Sequence, residues 1–420
     1  MVTSKTAENL ATINKTITEA RNAGAIHLST EDEMFNGREI QIEGKPLINF
    51  SSCSYLGLEL DPRMKDAAVD AVLRYGTQFS SSRAYVSMGM YDELESLLSQ
   101  IYQSPVLVAP TTTLGHLSLI PTIIGDEDAV ILDHQVHASV ALAAQTLKAR
   151  SVKIEMIRHN NLEMLEQRIQ KLRKTHQKIW YFADGVYSMY GDYAPMDDLL
   201  SLLDKYEQLH LYMDDAHGTG WTGKNGSGFV RGKFSAHPRI YITGSMAKGF
   251  GAVGGILVLP DEETRQMVRN CGGTMIFSGP IQPASLAAAV QSAKIQLTPE
   301  IDLLQAKVAR RVAQFNSTAR KLNISLISES DTPICFIHVG MPETGFRLVN
   351  LLKEHGYYVN IAVYPSVPYK NTGLRLTIHN HLRLEDIDHV LELIATYLPQ
   401  IVGKEGFEQL LPATRCGIKK

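Results

Sequence analysis

The stretch Ile242-Thr-Gly-Ser245-Met-Ala-Lys248-Gly-Phe-Gly-Ala-Val-Gly-Gly255 sets one lysine in a loop of small residues between two apolar runs, 239–243 and 255–259. An ammonium on a long stem gains nothing structural from a glycine-rich turn. A lysine that captures an aldehyde does need small neighbours, because a flat cofactor must then lie against the backbone. Taken alone, the motif fits a solvated loop lysine equally well.

Upstream, residues 209–213 read as a buried strand that ends in Asp214-Asp215-Ala-His217-Gly-Thr-Gly-Trp-Thr-Gly. The carboxyl end of such a strand opens into the crevice where open α/β sheets bind ligands. A carboxylate there can hold a pyridine nitrogen protonated, which makes pyridoxal phosphate (PLP) an electron sink once a lysine has captured it. His217, three residues on, is placed to contact a ring oxygen. The competing reading is a strand-end turn capped by aspartate.

Other segments extend the pattern. The apolar run 105–109 leads into Pro110-Thr-Thr112-Thr113-Leu-Gly-His116 and a helical segment, 117–123. A helix amino terminus with free N–H groups and hydroxyls is a ready phosphate site, although a plain threonine cap would look the same. The strand 129–132 leads to Asp133-His-Gln-Val-His137-Ala-Ser139, where an imidazole could stack on a pyridine and move protons. Strand–helix alternation from 106 to 259 predicts a mostly parallel sheet covered on both faces. Helices are expected over 7–25, 62–75, 196–206 and 262–270, a hairpin over 39–49, and a long helical region over 284–322. Strands at 324–327, 334–339, 358–361 and 373–378 suggest a smaller α/β domain. On the last of these Arg375 interrupts an apolar run, where a buried guanidinium calls for a carboxylate partner. That partner is either a substrate or a structural side chain.

Asp-Asp-Ala-His-Gly-x-Gly-x-x-Gly followed by Ser-Met-Ala-Lys-Gly-Phe-Gly-x-x-Gly-Gly resembles the α-oxoamine synthases over residues 48–398. These are PLP-dependent acyl-CoA:amino acid C-acyltransferases such as 8-amino-7-oxononanoate synthase, 2-amino-3-ketobutyrate CoA ligase, serine palmitoyltransferase and autoinducer synthase. The resemblance implies a fold-type I transferase with a large PLP-binding domain (61–295) and a smaller C-terminal α/β domain (296–400). An amino-terminal arm and hairpin (1–60) would precede them and a tail (401–420) follow. It implies that Lys248 binds the cofactor, Asp214 meets its ring nitrogen and His137 stacks on the ring. Ser188 and His217 would face the cofactor, and Thr112, Thr113 and Ser245 its phosphate. Ser278 would reach the phosphate of the other subunit of a homodimer, and Arg375 would hold the substrate carboxylate. The implied reaction joins an amino acid to an acyl thioester, from acyl-CoA or an acyl carrier protein, with loss of carbon dioxide. Departures fall at the substrate side: Cys53 and Ser54 stand where the family has Asn-Asp, Gln78-Phe-Ser-Ser-Ser-Arg83 replaces a glycine-rich segment, Asp184 replaces a glutamate, and His379-Asn-His381 replaces Ala-x-His.

Two other functions compete. An aminotransferase would need the same lysine and aspartate but no thioester, and a non-catalytic partner subunit would be expected to have lost Lys248. With 44% apolar and 20% charged residues and a net charge of −3, the 420-residue chain reads as an ordinary globular protein with no nucleic-acid partner. Cys53, Cys271, Cys335 and Cys416 fall singly, so neither a disulfide framework nor a metal site is expected. No apolar run is long enough to span a membrane. The expected compartment is the cytoplasm.

Overall fold

The computed structural model describes residues 4–416; residues 1–3 of the expected arm and 417–420 of the expected tail lie outside it. The chain forms two compact units, one of residues 56–188 and 193–305, the other of residues up to 55, 189–192 and those from 306 on. Among the described residues thirteen strands carry them. In chain order β1 is Glu39–Ile42, β2 Lys45–Asn49, β3 Val106–Ala109, β4 Ala129–Asp133, β5 Lys153–Ile157, β6 Ile179–Asp184 and β7 Leu209–Asp214. They continue with β8 Ile240–Ser245, β9 Gly255–Val258, β10 Ile334–Gly340, β11 Tyr357–Tyr358, β12 Asn360–Ala362 and β13 Thr372–Thr377.

In the first unit seven strands form one sheet in the order β3-β9-β8-β7-β6-β4-β5. β4 to β8 run parallel, and β9 is antiparallel to both its neighbours. Helices cover both faces, so the central strands are apolar throughout: every residue of β6, β7 and β8 is buried. Trp180, Phe182 and Tyr212 join one core, and Ile179, Tyr181 and Leu211 the other. The carboxyl ends of β4, β6, β7 and β8 are Asp133, Asp184, Asp214 and Ser245. Four polar side chains thus stand at one edge of an otherwise apolar sheet, the edge where parallel sheets bind ligands. β5 was not legible in the sequence because its polar alternation, Lys153-Ile-Glu155-Met, is that of an outer strand.

In the second unit β1, β2 and β11 form one small sheet, and β10, β13 and β12 another. Its core joins Phe50, Phe315, Leu348, Leu376 and Ile394.

Several expected elements move. The helix expected from residue 117 begins at Thr112, because the Thr111 hydroxyl caps it by accepting the Leu114 N–H at 3.1 Å. The region 284–322 is two helices, Pro283–Gln296 and Glu300–Lys321. Pro299 separates them, since the residue before a proline is pushed out of helical geometry. Residues 324–327 make no strand: Asn323 takes a left-handed turn and only the bridge Leu326–Ile337 forms. The expected strand 358–361 is two strands in different sheets, β11 on β2 and β12 on β13. The tail continues as helix through Leu384–Cys416, broken at Gly403, whose φ is 74°. Among the described residues no helix is long and apolar enough to cross a membrane.

Candidate active site

Tyr212 and Asp214 are two residues apart on β7 and point to one face, where the helix Thr112–Ile123 lays His116 between them. His116 is 0% exposed and Asp214 4%. The imidazole Nδ1 lies 2.7 Å from the Tyr212 hydroxyl and Nε2 3.0 Å from Asp214 Oδ2. Oδ1 of Asp214 accepts the Ala216 N–H at 2.9 Å. Burial alone would raise the Asp214 pKa. His116, by charge and hydrogen bond, together with His137 and Lys248, outweighs burial and holds the carboxyl well below its ordinary range. Burial keeps the Tyr212 phenol protonated. The result is a permanent anion at the end of β7.

Asp184, the register partner of Asp214 on β6, shifts the other way. Burial, reinforced by the Asp214 charge, raises its pKa well above the ordinary carboxyl value. Its Oδ1 accepts the His137 N–H at 2.9 Å. His137 caps the helix Ala138–Thr146, and burial pushes its ring below the usual histidine value. Lys248 and His116 add to that push and Asp214 opposes it. Lys248, His137, Asp184 and Asp214 are thus close enough to feel one another's charge.

The Lys248 loop is held by its own backbone. Met246 N–H donates to the Gly254 carbonyl and Gly251 N–H to that of Lys248, both at 2.9 Å. Gly251 has a φ of 71°, and a Cβ there would come within 2.8 Å of the Glu59 nitrogen and Leu58 Cβ. Any side chain at that position would open the loop.

The helix Thr112–Ile123 starts beside β8 and β9. The Thr112 hydroxyl donates to the Gly244 carbonyl at 3.2 Å, and a Cβ on Gly255 would meet the Thr111 and Thr112 backbone at 2.7–2.8 Å. Thr113 is exposed on the same turn, and Ser245 Oγ accepts the Ala247 N–H at 3.2 Å. Ser278 donates to the Thr274 carbonyl, and Thr274 donates to that of Leu114, each at 2.5 Å. The segment therefore packs on the first turns of that helix in its own chain. Ser188 is half-buried just beyond β6. His217 is buried after β7, with its carbonyl accepting the Trp221 indole N–H. Among the described residues no group of three or more His, Cys, Asp or Glu side chains is placed to hold a metal ion.

Arg375 lies in the second unit, on β13, and is 7% exposed. Its Nη1 and Nη2 lie 4.0 and 3.9 Å from Cys53 Sγ, and its charge acts on the buried Tyr55 phenol. Cys53, set aside in the sequence as a departure, is therefore a neighbour of the guanidinium.

His116 and Tyr212 carried no sequence assignment. The signal was present: the two-residue spacing of Tyr212 and Asp214 puts both on one face of a strand. A helix that starts at Thr112, capped by Thr111, turns His116 inward.

The profile of the aminotransferase class I and II family matches residues 45–394. The 8-amino-7-oxononanoate synthase of Thermoanaerobacter pseudethanolicus is 29% identical over 383 residues, 90% of this chain and 95% of that protein. That of Petrotoga mobilis is 31% identical over 367 residues, 86% and 90% of the two chains. A solved structure of serine palmitoyltransferase with a PLP internal aldimine superposes with a TM-score of 0.83 at 25% identity, covering 93% of this chain and 98% of that one. With the family profile spanning most of its length and these relatives covering nearly all of it, the chain belongs to the aminotransferase class I and II family and, within it, to the α-oxoamine synthases, the PLP-dependent acyltransferases.

Proposed function

We propose that this protein condenses an α-amino acid with an acyl thioester, carried by CoA or an acyl carrier protein, and releases carbon dioxide and an α-aminoketone. The observation that carries this is the Asp214 anion, secured by His116 and set among Lys248, His137 and Asp184 at the carboxyl edge of the sheet. The donor set fits PLP. An anion suits a protonated ring nitrogen, a lysine amine suits its aldehyde, and a helix start with unused N–H groups and hydroxyls suits its phosphate. When bound, PLP supplies an electron-withdrawing ring and an aldehyde carbon.

The chain's own residues do the rest. Asp214 holds the proton on the ring nitrogen, and His116 and Tyr212 hold Asp214. Lys248 would hold the cofactor through its amine, which would also be available to take up a proton. Thr112, Thr113 and Ser245 would hold the phosphate, with Ser278 reaching that of the other subunit, His137 would pack on the ring, and Ser188 and His217 would orient it. Arg375 binds the amino acid's carboxylate and so sets which bond is broken. Positioning of this kind contributes several kcal/mol to a barrier. We also propose a cytoplasmic homodimer, in which the face around Ser278 meets the second subunit; light scattering that found an active monomer would refute it.

The test is direct. Purified protein should be yellow, borohydride should fix the cofactor on Lys248, and a panel of amino acids with acyl-CoA should yield carbon dioxide and free CoA thiol together. Cofactor on another lysine would sink the assignment. Amino-group transfer to a keto acid with no thiol release would establish instead the aminotransferase reading that the family profile also covers.

A further inference from the structure

Two contacts at the start of the helix Ala138–Thr146 bear on how His137 carries its proton. The Ser139 backbone N–H points at the imidazole Nδ1 at 3.3 Å, and the Ser139 Oγ lies 2.6 Å from the same nitrogen. A backbone N–H can only donate, so this contact is made only when Nδ1 presents a lone pair, and it favours that tautomer. Oγ, one bond of rotation away, then also donates to Nδ1. A neutral imidazole has a single N–H, which leaves it on Nε2.

We propose that Ser139 is a positioning residue that fixes His137 as the Nε2–H tautomer, so that at rest this ring can donate a hydrogen bond at Nε2 but cannot accept a proton there. His137 is held from both sides: Asp184 Oδ1 grips its backbone N–H at 2.9 Å while Ser139 grips its ring. The charged or titratable groups that it feels are Asp214, Lys248 and His116, with Asp184 on its backbone. Acceptance of a proton at Nε2 would require the opposite tautomer, which sets an Nδ1–H against the Ser139 N–H. The sequence reading gave His137 proton traffic in both directions; the contacts narrow it to donation, and acceptance falls to the Lys248 amine. That consequence for catalysis rests on the function proposed above, whereas the tautomer does not.

The test uses full-length protein labelled with 15N-histidine, whose ring nitrogens are read by long-range proton–nitrogen NMR near neutral pH. The His137 signals are identified by their loss in His137→Gln. The wild type should show an unprotonated Nδ1 and a protonated Nε2. Ser139→Ala keeps the weaker 3.3 Å backbone contact but loses the 2.6 Å hydroxyl donor, so it should show a mixture of tautomers, and Ser139→Thr, which restores a hydroxyl, should recover the single pattern. A wild-type ring protonated at Nδ1, or a Ser139→Ala spectrum that matches the wild type, would overturn the proposal. The spectrum reads the ring proton whether or not Lys248 carries the cofactor, so its failure is separable from failure of the proposed function.

Discussion

Asp214 and Asp215 are adjacent in sequence and equally buried, yet their surroundings drive them to opposite charge states. Asp214 turns toward the helix Thr112–Ile123 and meets His116, with His137 and Lys248 nearby. Asp215 turns toward the helix Gly228–Lys233, where Oδ2 accepts the Val230 N–H at 2.9 Å and Oδ1 has no hydrogen-bond partner among the described residues. Glycines crowd it: a Cβ on Gly185, Gly218 or Gly228 would come within 2.6 Å of its oxygens. Burial raises its pKa, and the Asp214 charge raises it further. The surroundings of one carboxyl favour its charged form, those of the other its neutral form. The difference comes from which helix each one faces.

The comparison breaks first if the Asp214 side is not the chemical side. Lys248, whose charge acts on Asp214, is the group to remove: Lys248→Ala should abolish turnover while the far-UV circular dichroism stays that of the folded wild type. Full activity in that variant would end the proposed function. Next in size is His116→Ala, which leaves a buried anion without its partner. Such losses cost roughly 3–5 kcal/mol. Urea unfolding that showed a loss under about 1 kcal/mol would mean Asp214 is not held as a charge by His116.

Arg375, a buried charge in the second unit, is assigned to substrate and not to cofactor. Arg375→Ala should therefore weaken amino-acid binding by about 1.5–3 kcal/mol, roughly tenfold to a hundredfold, with cofactor content unchanged. Unchanged amino-acid affinity by titration would make it a structural residue of its own unit.

Asp215→Asn should be the mildest, and its effect should depend on pH. With a raised folded pKa, Asp215 keeps its proton when folded and loses it when unfolded, from about pH 3.9 upward. Its contribution is full below that pH and is lost as pH rises through the folded value. Asparagine cannot release a proton, so the variant should gain on the wild type as pH rises. Asp214 runs the other way: its contribution is present above about pH 3.9 and is lost on acidification below it. Melting temperatures of both asparagine variants relative to the wild type, from pH 2 to 8, should show Asp215→Asn gaining as pH rises above about 3.9 and Asp214→Asn gaining as pH falls below it; gains in the same pH window would erase the distinction.

Much of the large sheet was legible because local chemistry and burial agree there. The runs Ile-Trp-Tyr-Phe-Ala-Asp184 and Leu-His-Leu-Tyr-Met-Asp214 are apolar but for His210 up to their terminal carboxylates, as expected of parallel strands covered on both faces. The loop around Lys248 was readable for a related reason, since small residues in that number serve only close approach. The second unit was read less well. Residues 357–362 have one apolar pattern but serve two sheets, and which strand they join depends on partners at residues 48–49 and 373–375.

The sequence alone determined the sheet that carries the site, the lysine loop and the aspartate facing it, because periodicity and glycine content act within a few residues. Tertiary structure alone decided the charge state of each carboxyl, the Tyr212–His116–Asp214 chain and the contact of Arg375 with Cys53. The partners in each lie 96, 98 and 322 residues apart. Desolvation and charge act through space, so no reading of neighbours along the chain could have assigned them.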